Sequence, residues 1–106
     1  MIQIGRSIYI SNGTPTLRLV DNAGINPGDT VRVTQCLGGK AEIHVIQGKR
    51  KLKVPFMNAD NSVSIDRDVS AGAKKCPTIR LIKDYGIGAG SAMLVQHEDG
   101  TATLKQ

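Results

Sequence analysis

A chain of 106 residues has room for one domain, and its core must be built from aliphatic residues because only 3% of the residues are aromatic. The formal net charge of +5 favours a polyanionic partner. Cys36 and Cys76 are far apart and form no metal-binding spacing with a histidine, so we expect two free thiols and neither a metal nor a cofactor. No apolar run approaches a membrane span and no signal pattern opens the chain, which predicts a cytoplasmic protein without a membrane partner.

Two segments of the chain resemble each other. The segment that begins at Pro15 reads PTLRLVDNAGINPGDTVRV, and the segment that begins at Pro77 reads PTIRLIKDYGIGAGSAMLV. The two can be matched without a gap, which is too ordered for chance. We therefore predict a single domain over 1–106 made of two repeats, at about 1–48 and about 49–106.

The first repeat begins with a predicted strand over Gln3–Ser11, where apolar and polar residues alternate. Thr14 and Pro15 then predict the start of a short helix, because threonine caps free amides and proline is tolerated at the first helical position. Gly24 would end this helix. Two strands joined by a Gly-Gly turn follow: Thr30–Thr34 and Ala41–Ile46.

The second repeat follows the same order. A second short helix is predicted from Pro77 to Gly86. A hairpin with an Asp-Gly turn then closes the chain, with strands over Ala92–His97 and Thr101–Lys105.

Between the repeats, four cations fall within five residues: Lys49, Arg50, Lys51 and Lys53. If Arg50–Phe56 is a strand, its period of two places Lys51 and Lys53 on one face. Such a face can follow a line of phosphates without reading bases, although lysines also commonly guard exposed strand edges. A further strand is predicted over Ser62–Asp66.

The first repeat carries three stretches that together resemble the AbrB-like (SpoVT/AbrB/MazE) DNA-binding family. They are Gly5–Ile10, Leu19–Ile25 and the Pro-Gly-Asp segment Pro27–Val33. The resemblance implies a mainly β fold with two short helices, arranged as a pseudo-two-fold cradle-loop β-barrel of the AbrB-like swapped-hairpin type. A double-psi barrel is the alternative. The family's usual domain is a homodimer, so this chain resembles a pseudo-dimer within one chain, although its second repeat lacks Pro-Gly-Asp.

The resemblance implies a DNA-binding transcriptional regulator, most simply a repressor, with double-stranded DNA as its partner. A pseudo-two-fold barrel closes without a partner, so a monomer is one possibility, and self-association, which would suit palindromic DNA better, is the other. It places Arg6 on the DNA surface and Arg67 at the corresponding place in the second repeat. The charge pattern adds the central run described above and the pair Lys74–Lys75 before the second predicted helix. Each of these cations has a plainer interpretation as a solvated surface charge.

Other functions remain as alternatives or are not expected. A barrel of this group could instead be a protein- or ligand-binding module without DNA binding, including an antitoxin-type partner. Arg18 and Arg80 recur at matching places, for which we expect a structural role such as pairing with Asp21 or Asp84. An enzyme is not expected, because no nucleophile, acid and base fall into a recognisable arrangement.

Overall fold

The computed structural model describes residues 1–106, apart from the side chain of Ala73. It is mainly β, as predicted, with one short 3-10 turn at Ala73–Lys75. The strands are β1 (Ile2–Ser11), β2 (Thr14–Arg18), β3 (Thr30–Gln35), β4 (Lys40–Ile46), β5 (Phe56–Met57), β6 (Val63–Asp68), β7 (Ser70–Ala71), β8 (Pro77–Arg80), β9 (Gly90–Gln96) and β10 (Thr101–Lys105).

All ten strands form one antiparallel sheet in the order β5-β6-β3-β4-β10-β9-β1-β2-β8-β7. The sheet curls into a half-barrel, so that β6 also lies against β8. The order is nearly symmetric about the β4–β10 pair, because β3 and β6 lie on one side of it and β9 and β1 on the other. The structure thus confirms a mainly β, barrel-like fold.

The core lies on the concave side of this sheet and is aliphatic. Along β3 the side chains of Val31 and Val33 are fully buried, whereas their neighbours are half-exposed, as a strand with one buried face requires. Leu94 on β9 and Leu104 on β10 fill the corresponding space in the second half. Alternating apolar residues therefore explain both hairpins.

The two predicted helices are wrong, because both segments form strands. Asn12 and Gly13 have positive φ and close a two-residue turn between β1 and β2, so Thr14 and Pro15 continue into a strand. Leu17 and Leu19 are both fully buried two residues apart, which is the period of a strand and not of a helix. The same holds for Ile79 and Leu81 in the second half.

The predicted strand over Arg50–Phe56 is also wrong over most of its length, because only β5 pairs with the sheet. The preceding residues are held by a buried carboxylate instead of by a ladder. The backbone N–H groups of Lys51 and Leu52 both donate to Oδ2 of Asp66 at 2.8 Å. The N–H of Asp66 in turn donates to the carbonyl oxygen of Leu52 at 2.9 Å.

The two segments that resemble each other in sequence lie side by side. β2 and β8 pair with each other, and Leu17 lies opposite Ile79. The bonds that extend this pair are reciprocal, since the N–H of Leu19 donates to the carbonyl of Pro77 at 2.8 Å and the N–H of Leu81 donates to the carbonyl of Pro15 at 2.8 Å. The two matched segments are therefore direct neighbours in the sheet, and the division of the chain into two repeats stays a prediction.

Two buried glutamines connect the halves and refine their correspondence. The Gln35 side-chain amide bonds to the backbone of Ile82, and the Gln96 amide bonds in the same way to the backbone of Val20. A correspondence without a gap would match Gln35 with His97 instead. The second half is therefore one residue shorter before β9, and the gap-free alignment is wrong from that point onward.

Candidate nucleic-acid interface

The β2–β8 pair presents arginines and threonines on its convex face. Thr16 lies opposite Arg80, and Arg18 lies opposite Thr78. Residues directly opposite each other in an antiparallel pair point to the same face, so all four side chains share one surface. Thr16 and Thr78 are buried, whereas Arg18 is half-buried and Arg80 is exposed.

Two further arginines lie beside this pair in equivalent settings. Nη2 of Arg6, on β1, donates to the carbonyl oxygen of Leu19 at 3.5 Å. Nη2 of Arg67, on β6, donates to the carbonyl oxygen of Leu81 at 3.3 Å. Both arginines are half-buried, and each is thus directed at the segment that follows β2 or β8. We call Arg6, Arg18, Arg67 and Arg80 the arginine set.

Three members of the arginine set carry buried donors that have no partner. Among the described side chains, the buried nitrogen and oxygen atoms without a hydrogen bond are the Nε atoms of Arg6, Arg18 and Arg67. A donor removed from water without a partner costs about 1–3 kcal/mol, so such groups call for an explanation. The outer nitrogens of these guanidinium groups are the ones that an anion at the surface would meet.

A cavity of about 450 Å³ opens beside the second-half arginines. It is lined by Arg50, Arg67 and Arg80, by one carboxylate, Asp68, and by hydroxyls that include Ser70. Burial lowers the pKa of Arg67 below its usual range, and the like charges of Arg80 and Arg50 lower it further. Three guanidinium groups held this closely favour the binding of an anion between them.

A second cavity, of about 590 Å³, adjoins the first. Its charged lining consists of Lys49, Arg50, Lys53 and Asp68. Because Arg50 and Asp68 line both cavities, the two adjoin at this pair, and we treat them together as one basic depression. We call it the basic groove and define its cations as Lys49, Arg50, Lys53, Arg67 and Arg80.

The carboxylate in the basic groove offsets little of this charge. Nε of Arg50 lies 3.9 Å from Oδ2 of Asp68, and both side chains are substantially exposed. An ion pair of this kind contributes about 0–1 kcal/mol. An incoming phosphate can therefore compete for Arg50 at little cost.

The structure brings together some of the predicted site residues and leaves others apart. Lys49, Arg50, Lys53 and Arg67 line the basic groove, and Arg6 belongs to the arginine set. The remaining three are exposed and do not line the groove: Lys51, Lys74 and Lys75. The role of all eight residues in binding stays a prediction.

From the sequence, Arg18 and Arg80 were expected to have a structural role such as pairing with Asp21 or Asp84. The structure shows neither arginine paired with Asp21 or Asp84, since the salt bridges among the described residues join other partners. The signal that could have identified both was their recurrence at matching places in the two repeats. Its meaning depends on the pairing of β2 with β8, which brings them to one face.

Asp66 holds in place the segment that carries the basic run. It is fully buried and accepts bonds from Nε of Arg32 at 2.8 Å and Nη2 of Arg32 at 3.2 Å. It also accepts the two backbone bonds that hold Lys51 and Leu52. These bonds, chiefly the one from Arg32, lower the pKa of Asp66 to about 2 against the opposing effect of burial. The carboxylate thus fixes the basic run against β6.

Protonation of Asp66 should destabilise the fold in acid. The pKa of Asp66 is lower in the folded protein than its unfolded value of 3.8. The ionised carboxylate therefore stabilises the fold fully above pH 3.8, and this stabilisation is lost as the pH falls towards about 2. The expected loss is about 2 kcal/mol. Urea unfolding of the wild type and of Asp66→Asn between these pH values tests this expectation. The asparagine variant should show a shallower pH dependence, and equal slopes would contradict the assignment.

Comparison with protein-family models, curated proteins and solved structures finds no match for this chain. Within the described residues, no helix has the length and apolar character needed to cross a membrane. The same residues contain no group of three or more His, Cys, Asp or Glu side chains placed to hold a metal ion.

Proposed function

We propose that this chain is a cytoplasmic DNA-binding transcriptional regulator, most simply a repressor, whose basic groove and arginine set contact the phosphates of double-stranded DNA. The observation that carries this proposal is the basic groove, in which Lys49, Arg50, Lys53, Arg67 and Arg80 line one depression together with a single carboxylate, Asp68. Arginine is well suited to phosphate because its planar group donates several bonds in a fixed fork. The resemblance of the first repeat to AbrB-like domains and the implied cradle-loop barrel point in the same direction.

The groove explains how the protein would be positioned on a duplex. Its cations follow one another from Lys49 and Lys53, through Arg50, to Arg67 and Arg80. Contacts of this kind fix the register of a protein on DNA and supply affinity without reading sequence. Each neutralised phosphate releases condensed counterions, so affinity should fall steeply with added salt.

The proposal is tested by titrating a labelled duplex with the wild-type protein across a salt series. A second titration uses the variant in which Lys49, Arg50, Lys51 and Lys53 are all changed to Ala. We expect the wild type to bind at low salt and the variant to bind more weakly. The log–log salt slope of the variant should be shallower by about 0.9 for each phosphate that it no longer neutralises. Absence of duplex binding by the wild type at low salt would remove the proposal.

A second candidate is a barrel that binds a protein partner, and one observation favours it. Val54, Phe56 and Met57 lie close together in sequence and are each more than half exposed. Large apolar side chains clustered at the surface are typical of protein contacts. The duplex titration separates the two candidates, since this alternative predicts no DNA binding and no effect of salt.

A further inference from the structure

The outer edge of β6 is covered by the chain's own central segment. β5 pairs there, with Met57 opposite Val63 and Phe56 opposite Ser64. The backbone N–H of Asp66 is bonded to the same segment, as described above. Under this cover, Val63 is 6% exposed and Ile65 is 4% exposed.

β1 is the counterpart of β6 in the first half, because Arg6 and Arg67 make equivalent contacts. Ile2 and Ile4 therefore correspond to Val63 and Ile65. Both isoleucines are 37% exposed, in contrast to their buried counterparts. The difference shows that no segment within the described residues covers β1 as the central segment covers β6.

The open edge of β1 carries free backbone groups. Alternate residues of a strand direct their N–H and C=O groups to opposite sides. Ser64 and Asp66 direct theirs to the covering segment, so Gln3 and Gly5 direct theirs outward from the sheet. Among the described residues, β9 is the strand that pairs with this part of β1, and it lies on the other side.

The composition of this edge suits a close neighbour. Gly5 does not have a positive φ, and a Cβ added to it would meet nothing within 4 Å, so neither conformation nor packing inside the chain requires glycine there. Glycine within a strand often marks the close approach of another backbone. Monomeric proteins usually protect such edges with charged residues, proline or bulges. Ile2–Gly5 contains neither a charged residue nor a proline.

We propose that β1 pairs with β1 of a second copy of this chain, antiparallel about a two-fold axis, to form a dimer. Such a contact is self-complementary, since the same strand serves both copies. It satisfies the outward groups of Gln3 and Gly5 and covers Ile2 and Ile4. The uncharged edge allows two chains of net charge +5 to meet without like charges at the contact.

The test is the molar mass in solution, measured without DNA by light scattering over protein concentrations from about 10 µM to about 1 mM. We expect the wild-type mass to rise towards that of a dimer. Gln3→Pro removes one outward N–H but leaves the ladder to β9 intact, so it should raise the dimer dissociation constant at least about tenfold. Gln3→Thr keeps the N–H and is the matched control.

A second pair of variants keeps the proposal testable if the proline variant does not fold. Gly5→Asp places a negative charge on each copy close to the two-fold axis and should abolish the dimer, whereas Gly5→Ala, which adds only a methyl group, should weaken it far less. Thermal unfolding establishes that each variant is folded. A wild type that stays monomeric at the highest concentration would overturn the proposal, as would a dimer that is unaffected by both Gln3→Pro and Gly5→Asp.

Discussion

Replacing Gln35 by Leu should be among the most destabilising single changes in this protein. The Gln35 side chain is fully buried and donates from Nε2 to the carbonyls of Ile82, at 3.2 Å, and Tyr85, at 2.9 Å. Its Oε1 accepts the N–H of Ile82. Leucine fills a similar space but leaves these three backbone groups without partners. Each unsatisfied buried group costs about 1–3 kcal/mol, so we expect a loss of about 3–5 kcal/mol.

Gln106→Leu is the control for this change. The Gln106 amide also bonds to the backbone, accepting from the N–H of Gly88 at 2.9 Å and donating to its carbonyl at 2.7 Å. This residue is exposed, however, so water replaces the missing bonds, and we expect a change below about 1 kcal/mol. Free energies of urea unfolding measure both variants. Similar losses for Gln35→Leu and Gln106→Leu would contradict the role given to the buried amide.

The largest effect on DNA binding is expected from the double variant Arg67→Gln/Arg80→Gln. These two arginines line the same cavity, and their charges act on each other. Glutamine keeps a donor and much of the side-chain length, so the fold is preserved while two charges are removed. We expect affinity for a duplex to fall about a hundredfold at low salt and the log–log salt slope to decrease by about 2.

The double variant Lys40→Gln/Lys105→Gln removes the same charge away from the basic groove. Lys40 and Lys105 pair across β4 and β10, and both are exposed. If affinity depended only on net charge, both double variants would weaken binding equally. Equal losses would therefore contradict the groove as the contact surface, and the fold of each variant is checked by thermal unfolding.

Local patterns predicted the strands well and the helices poorly. The strand over Thr101–Lys105 and the turns of both hairpins follow from alternation and from glycine at defined places. Thr14 and Pro15 equally fit a helix start or a strand after a turn, and the burial of Leu17 and Leu19 decides for the strand. That burial depends on β8, which lies far away in sequence.

The candidate site was predicted in part, from cations that are neighbours in the chain and, for Arg6 and Arg67, from the resemblance. The run from Lys49 to Lys53 is visible as letters, whereas the place of Arg80 beside Arg67 depends on how β8 meets β6. The correspondence of Gln35 with Gln96 was hidden by a one-residue gap. The alignment without a gap still matches Val33 with Val95 beyond that point, by chance. Long-range pairing, which no local pattern encodes, supplied the missing information.

The most direct test of the proposed interface observes the unpartnered donors themselves. Nuclear magnetic resonance of the arginine Nε–Hε groups can follow Arg6, Arg18 and Arg67 while a DNA duplex is added. The Nε of Arg32 is already bonded to Asp66 at 2.8 Å and serves as an internal control. We predict that the resonances of the first three shift on saturation with the duplex and that the resonance of Arg32 does not. If the duplex binds and leaves the first three unchanged, the arginine set is not the DNA contact.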